Sequence, residues 1–202
     1  MVVWIRLLRE SCFLEKPDIS FLMKPIDIIN KFYKPGSKTQ KILVTHSMAV
    51  AQKALDAAKR VSHLNPDYRF VEEAAMLHDI GIFYTNAPSL GCTGKYPYVS
   101  HGYLGRQLLE DKGLPRHALV CERHVGVGLM LDEIRKYRLP LPERDAVPIT
   151  IEEQIVCYAD KFFSKKQDQN GKEQSVKTVL KTIEKYGQDK VERFKAWVDL
   201  FG

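Results

Sequence analysis

Apolar residues recur along this chain at three- and four-residue intervals, the spacing of helices that bury one face. Ile42, Leu43, His46, Ala49, Val50, Ala54 and Ala57 trace one such stripe, and Ser37 stands at an N-cap position, so a helix is expected from there to about Ser62. Before it, residues 24–33 form a short amphipathic segment closed by Pro35 and Gly36. Pro66 and Asp67 open a third helix through Val71, Ala74, Ala75 and His78, with Gly81 placed to stop it. Residues 84–99 hold Asn86, Pro88, Gly91, Gly94 and Pro97 and read as the longest loop. Helical spacing resumes near Ser100 with His101, Leu104, Leu108 and Leu109. It starts again at Pro115, runs through Leu119, Val120 and His124, and ends at Gly126 and Gly128. Pro140, Pro142 and Pro148 mark a second loop. Thr150 with Glu153 three residues on matches a capping box, and the helix it opens carries Ile151, Ile155, Tyr158, Ala159 and Phe162. Residues 176–200 form one or two amphipathic helices broken near Gly187. Alternating strand patterns are scarce. The expected fold is all-α: one compact bundle with short loops and C-terminal amphipathic helices.

Composition agrees with a folded, soluble domain: 45% of the 202 residues are hydrophobic and 28% charged. No run approaches the roughly 18 apolar residues of a membrane span. The apolar start is cut by Arg6, Arg9 and Glu10 and lacks a small-residue cleavage site, so a signal peptide is rejected. Met23 stands where the first helix begins, which makes residues 1–22 an N-terminal extension and Met23 a candidate native start. Residues 23–170 then form the main domain, and 171–202 form helices packing on it. Cys12, Cys92, Cys121 and Cys157 are widely spaced without a CxxC pair, which argues against a disulfide framework or a zinc ribbon and for a reducing, cytoplasmic setting. The net charge of +6 is uneven. Residues 1–60 hold 11 Lys and Arg against 5 Asp and Glu, residues 61–160 hold 10 against 14, and residues 161–202 hold 10 against 6. The acidic balance of the middle disfavours a nucleic-acid site there, although the termini remain basic.

Histidines and aspartates fall at telling places. His46 lies in the middle of an apolar-faced helix, His78 and Asp79 end another, His101 begins one and His124 ends one. Asp160 interrupts the apolar stretch from Ile155 to Phe163. Any single inward histidine is more often a hydrogen-bonded core residue than a ligand. A buried carboxylate is different, because it costs several kcal/mol unless a cation or metal answers it. Several imidazoles and two carboxylates converging in one helical core point to a first-row metal: iron, manganese, zinc, nickel or cobalt. His63 and His117 fit no such pattern and are expected at the surface.

His46, then His78-Asp79, then Asp160, in order on successive helices, resembles the HD-domain metal-dependent phosphohydrolases. The string Leu77-His78-Asp79-Ile80-Gly81 matches the HDIG form of the signature. The resemblance covers roughly Ile26 to Lys165 and implies an HD-domain helical bundle. It implies that His46, His78, Asp79 and Asp160 hold one metal, and that His101 and His124 hold a second with Asp79 as the bridge, as in the dinuclear members. The implied activity is hydrolysis of a phosphoester or phosphoanhydride of a nucleotide or similar small phosphate compound by metal-activated hydroxide. Candidate catalytic groups are Asp79 with the cations Lys161 and Arg123. Lys95, Tyr98, Tyr103 and Lys165 are weaker candidates for substrate contact. Ile82 replaces the lysine that often follows HDIG in the cyclic-dinucleotide phosphodiesterases of the family, and the Gly-Tyr-Pro motif is absent, which argues against cyclic-di-GMP. Competing readings are a metal-containing regulatory or ligand-binding module without turnover, a dinuclear-iron oxygenase on the same fold, and a basic helical nucleic-acid binder. Expected partners are the small phosphate substrate and a second copy of the chain, with no membrane.

Overall fold

The computed structural model describes residues 24–166 and 168–202. The expectations about residues 1–22, Met23 and Cys12 lie outside the described residues.

Among the described residues nine α-helices account for nearly all regular structure. α1 spans Pro25–Phe32, and α2 spans Lys38–Arg60 with Ser37 Oγ accepting the Gln40 amide as N-cap. α3 spans Tyr68–Leu77, and Asp67 caps it by accepting the Phe70 amide. A 3₁₀ turn, Ile80–Tyr84, leads to a two-strand hairpin, β1 (Asn86–Ala87) antiparallel to β2 (Cys92–Thr93), within the segment expected to be loop. α4 is His101–Glu110 and α5 is Pro115–Arg123. A short α6, Leu131–Lys136, lies between Gly128 and Pro140, where the sequence pattern assigned no element. α7 is Ile151–Asp160, α8 is Val176–Ile183 and α9 is Gln188–Phe201. The break between the last two falls at Gly187, whose φ of +128° is cheap only for glycine.

Two expectations change in detail. Gly81 does not cap α3 in a left-handed conformation: the helix ends at Leu77 and the chain runs on into the 3₁₀ turn. Its glycine serves close approach, since a Cβ there would stand 2.1 Å from the His101 carbonyl oxygen and 2.3 Å from the Gly105 nitrogen. The Thr150 capping box is half made. Thr150 Oγ1 accepts from the Glu153 amide, but the Glu153 carboxylate accepts from the Ile149 amide and from Arg123.

Two apolar clusters hold the bundle together. One joins α2, α3, α7, α8 and α9 through Val50, Ala54, Val71, Ile155, Phe194 and Phe201. The other joins α1, the start of α2, the end of α3, α4 and α5 through Ile28, Leu43, Leu77, Leu109 and Cys121. The alanines at 51, 54, 57 and 58 keep α2 slim where α3 and α7 lie against it. The C-terminal helices belong to the first cluster: Phe194 and Phe201 are fully buried, and each such side chain contributes about 1.5–3 kcal/mol. Polar ties add to this, from Lys190 Nζ to the Gly128 carbonyl (2.8 Å) and from Arg193 to the Val127 carbonyl (2.7 Å). No described helix is long and apolar enough to cross a membrane.

Candidate metal centre

The seam between the two clusters is polar. α2 passes from Leu43 in one cluster to Val50 in the other, and His46 lies between them. α3 makes the same passage at Ala75 and Leu77, delivering His78 and Asp79, and α5 makes it at Val120 and Cys121, delivering His124. α4 begins with His101, and α7 ends with Asp160. All six side chains are buried.

Their ligand atoms form two overlapping groups. His46, His78, Asp79 and Asp160 each place one ligand atom within 4.8 Å of the others, and Asp79, His101 and His124 do the same. His46 Nε2 lies 3.0 Å from Asp160 Oδ1 and 3.2 Å from Asp79 Oδ2. His78 Nε2 lies 3.1 Å from Asp79 Oδ2. The other Asp79 oxygen, Oδ1, lies 3.3 Å from His101 Nε2 and 3.5 Å from His124 Nε2. Asp79 thus turns one oxygen to each group.

The backbone sets the histidine tautomers. The Nδ1 atoms of His78, His101 and His124 lie 2.6–2.7 Å from the carbonyl oxygens of Ala75, Tyr98 and Cys121, in each case three residues earlier. A carbonyl only accepts, so Nδ1 carries a proton and Nε2 of each ring points inward. Where Nε2 is bare, as in neutral His124, acceptor faces acceptor. Neither oxygen of Asp79 accepts a hydrogen bond from the imidazole nitrogens that lie within 3.5 Å of both, and the cation nearest to Oδ2 is Lys165 Nζ at 2.6 Å. Such a set is satisfied by cations. Neutral imidazoles with carboxylates suit a divalent first-row metal, so the residues fit one.

The electrostatics follow from burial and proximity. Burial alone would lower the His78 pKa, but the Asp79 and Asp160 carboxylates raise it to about 9. Burial pushes His124 the other way, to about 3, so it stays neutral. Burial would raise Asp79 and Asp160, yet neighbouring cations hold both well below the usual carboxylate range: His78 and Lys165 for Asp79, Lys161 and Lys165 for Asp160.

The remaining sequence candidates go to different places. Lys161 Nζ lies 2.7 Å from Asp160 Oδ2 and donates to the His124 carbonyl. Lys165 comes closer to the centre than its rank as a weak candidate suggests: its Nζ lies 2.6 Å from Asp79 Oδ2 and 3.8 Å from Asp160 Oδ1. The Tyr98 ring packs over His101, centroids 4.7 Å apart. Tyr98 and Lys165 line a cleft of about 640 Å³ with Asn86, Ser89 and Lys166. Lys166, like Lys165, is a weaker candidate cation from its place after Asp160; Asn86 and Ser89 carry no sequence signal, because only the fold of residues 84–99 brings them opposite 164–166. Arg123 is held by both oxygens of Glu153, at 2.8 and 2.9 Å, and takes no part in the contacts of the His–Asp cluster. Tyr103 accepts from Gln107, and Lys95 lies over the Tyr96 ring, outside that cleft. His63 is exposed. His117, expected at the surface, is buried: its Nε2 lies 3.2 Å from Glu73 Oε2 and its ring meets Phe70 edge-on, because α5 turns it toward α3.

The HD domain family model matches residues 43–164. An uncharacterized protein of Methanocaldococcus jannaschii is 33% identical over 121 residues, covering 58% of this chain and 64% of that protein. A tRNA (cytidine(56)-2'-O)-methyltransferase of Thermoplasma volcanium is 31% identical over 137 residues, 67% of this chain and 35% of the enzyme. The matching enzyme of Picrophilus torridus is 38% identical over 99 residues, 48% of this chain and 25% of the enzyme. The chain therefore spans less than two thirds of each of these relatives. Among solved structures, the HD domain of the L. monocytogenes phosphodiesterase PgpH aligns with a TM-score of 0.49 at 15% identity, covering 86% of this chain and 94% of that one.

Proposed function

The chain belongs to the HD-domain family, and from that premise we propose that it is a metal-dependent phosphohydrolase. Its substrate on this reading is a nucleotide or a similar small phosphate compound carrying a phosphoester or phosphoanhydride. One observation carries the reading: Asp79 presents its two oxygens to two histidine groups, at 3.1–3.2 Å on one side and 3.3–3.5 Å on the other.

His46, His78, Asp79 and Asp160 would hold one divalent ion, and Asp79, His101 and His124 a second. Such ions polarise phosphoryl oxygens and bring the pKa of bound water toward neutrality. The chain's own side chains do the rest. The carbonyls of Ala75, Tyr98 and Cys121 fix the ring tautomers. Lys161, its pKa held up by Asp160 against the effect of burial, stays charged beside the centre and offsets negative charge on a phosphoryl group. Lys165, also held up by Asp79, touches the centre through that carboxylate and lines the 640 Å³ cleft with Lys166, and on this reading it binds the phosphate. Tyr98 packs on His101 and limits water at the mouth. The methyltransferase names belong to proteins of which this chain matches about a third or less, and methyl transfer is not part of this reading.

The test is elemental analysis of protein purified without chelator, paired with hydrolysis of mono- and dinucleotides, dinucleoside polyphosphates and bis(p-nitrophenyl) phosphate. Two transition-metal equivalents per chain and a hydrolysis that Asp79→Asn abolishes are the expected result. Metal without hydrolysis of any of these compounds would favour the regulatory module. Oxygen consumption by an iron-loaded sample would favour the oxygenase. No metal after reconstitution overturns the proposal.

A further inference from the structure

The β1–β2 hairpin is a wall between two clefts. Its Asn86–Leu90 side faces Lys165 and Tyr98 across the 640 Å³ cleft. Its other side, from Gly91 to Tyr96, closes a groove of about 550 Å³ against Phe32, Lys34, Phe83 and Tyr84. This second groove is aromatic and basic at once. Phe83 sits among rings, edge-on to Phe32 at 6.1 Å, Tyr33 at 5.6 Å and Tyr84 at 5.3 Å. Yet Phe83, Tyr84 and Tyr96 remain 42%, 36% and 38% exposed, with Lys95 Nζ over one face of the Tyr96 ring.

The charge is as one-sided. Lys34 stands on one lip and Lys95 on the other. Between residues 24 and 41 the chain has five lysines (24, 31, 34, 38 and 41) and a single acid, Asp27. All five are exposed, and neither they nor Lys95 form a salt bridge among the described residues. Beyond the Tyr84–Tyr96 ridge the surface carries Glu110 and Asp111, so an anion is directed to the Lys34 side.

We propose that this groove docks a single-stranded oligonucleotide, with bases stacked on Phe83, Tyr84 and Tyr96 and phosphates met by Lys34 and Lys95. Stacking on aromatic faces beside a basic track is how single strands are held without sequence preference, and a duplex hides the base faces that such a site needs. The volume suits a nucleotide-sized group, within the roughly 300–1,000 Å³ of small-ligand sites. The sequence argued against nucleic acid from the acidic count of residues 61–160. Folding places Lys34 in one groove with the aromatics of residues 83–96, which that count keeps apart. The inference rests on the phosphohydrolase reading and deepens it: the substrate class becomes a nucleotide chain that crosses the hairpin from the groove toward Lys165, which touches Asp79.

The experiment is fluorescence anisotropy of a labelled twelve-nucleotide single-stranded RNA of mixed sequence with the full chain. It is run in chelator across a salt series, so loss of hydrolysis or metal cannot mimic loss of docking. The expected result is saturable binding that weakens as salt rises. Lys34→Glu combined with Lys95→Glu lowers affinity by at least about tenfold and flattens the log–log salt slope by about 1.4. Tyr96→Ala lowers affinity about tenfold with the slope unchanged, since stacking carries no counterions. Both changes are at exposed positions, and circular dichroism confirms folding. No binding at low salt, binding that survives both sets of substitutions, or equal affinity for a duplex or for poly-glutamate overturns the proposal.

Discussion

His46 Nε2 and His78 Nε2 lie 3.3 Å apart, and both rings are wholly buried. The Ala75 carbonyl fixes the His78 proton on Nδ1, so the short separation brings the inward nitrogens together around a common point shared with Asp79 and Asp160. A proton or a metal ion can relieve that crowding, and the two must compete.

Competition gives a pH dependence. The His78 pKa is raised from 6.5 to about 9. In chelator-treated protein its contribution to stability is therefore fully present below about pH 6.5 and lost as pH rises through about 9. Asp79 and Asp160 are depressed, so their contribution is present above the ordinary carboxylate range and lost only as pH falls below it. Metal binding must release the His78 proton, so affinity climbs by up to about tenfold per pH unit until pH 9. Calorimetric metal titrations at pH 6.5, 7.5 and 8.5 check this. A flat affinity would remove the proton from the account.

The shared carboxylate predicts unequal losses. Asp79→Asn touches both ligand groups and should leave under one metal per chain, with activity reduced by more than the roughly 10–100-fold that losing an outer hydrogen-bond partner costs. His101→Ala touches only one group and should keep about one equivalent while most turnover disappears. Full metal content and full turnover in His101→Ala would sink the two-ion arrangement.

Arg123 and Lys161 separate by what holds them. Arg123 is the partner of buried Glu153, so Arg123→Ala strands that carboxylate and should cost about 1–3 kcal/mol, seen as a lower denaturation midpoint. Lys161 touches Asp160 and the His124 carbonyl. Lys161→Ala should keep its metal and lose about a hundredfold in turnover. Steady-state kinetics beside elemental analysis distinguishes the two, and an unchanged rate would take Lys161 out of the site.

Gly81→Ala drives a methyl into backbone rather than into a side chain that can turn away, with the His101 oxygen at 2.1 Å and the Gly105 nitrogen at 2.3 Å. Overpacking of this kind costs about 1–3 kcal/mol. Because the atom displaced belongs to His101, metal content should fall along with melting temperature. A variant of normal stability and metal content would show that the approach of α4 to this turn is not constrained.

The helices were legible because their signals are local. A three-four stripe, Ser37 and Asp67 at N-caps, and Gly187 at a break each act within a few residues. His46 and Asp160 stand out in the linear chain as polar residues on apolar stripes, while the grouping of His46, His78, Asp79 and Asp160 as a ligand set is what the resemblance to HD-domain proteins implies. His117 misled because its partner, Glu73, is 44 residues away and α5 must pack on α3 before the two meet.

An all-α bundle and the residue types along its inward faces can be read from the linear chain, because helical periodicity and buried-charge cost are properties of short segments, and the HDIG string adds the resemblance to HD-domain proteins. Packing settles that Asp79 turns one oxygen to each histidine group, that Lys165 reaches the centre while Arg123 is bound to Glu153, and that the hairpin parts two clefts. Each of those depends on distances between elements tens of residues apart, which packing sets and no local pattern encodes.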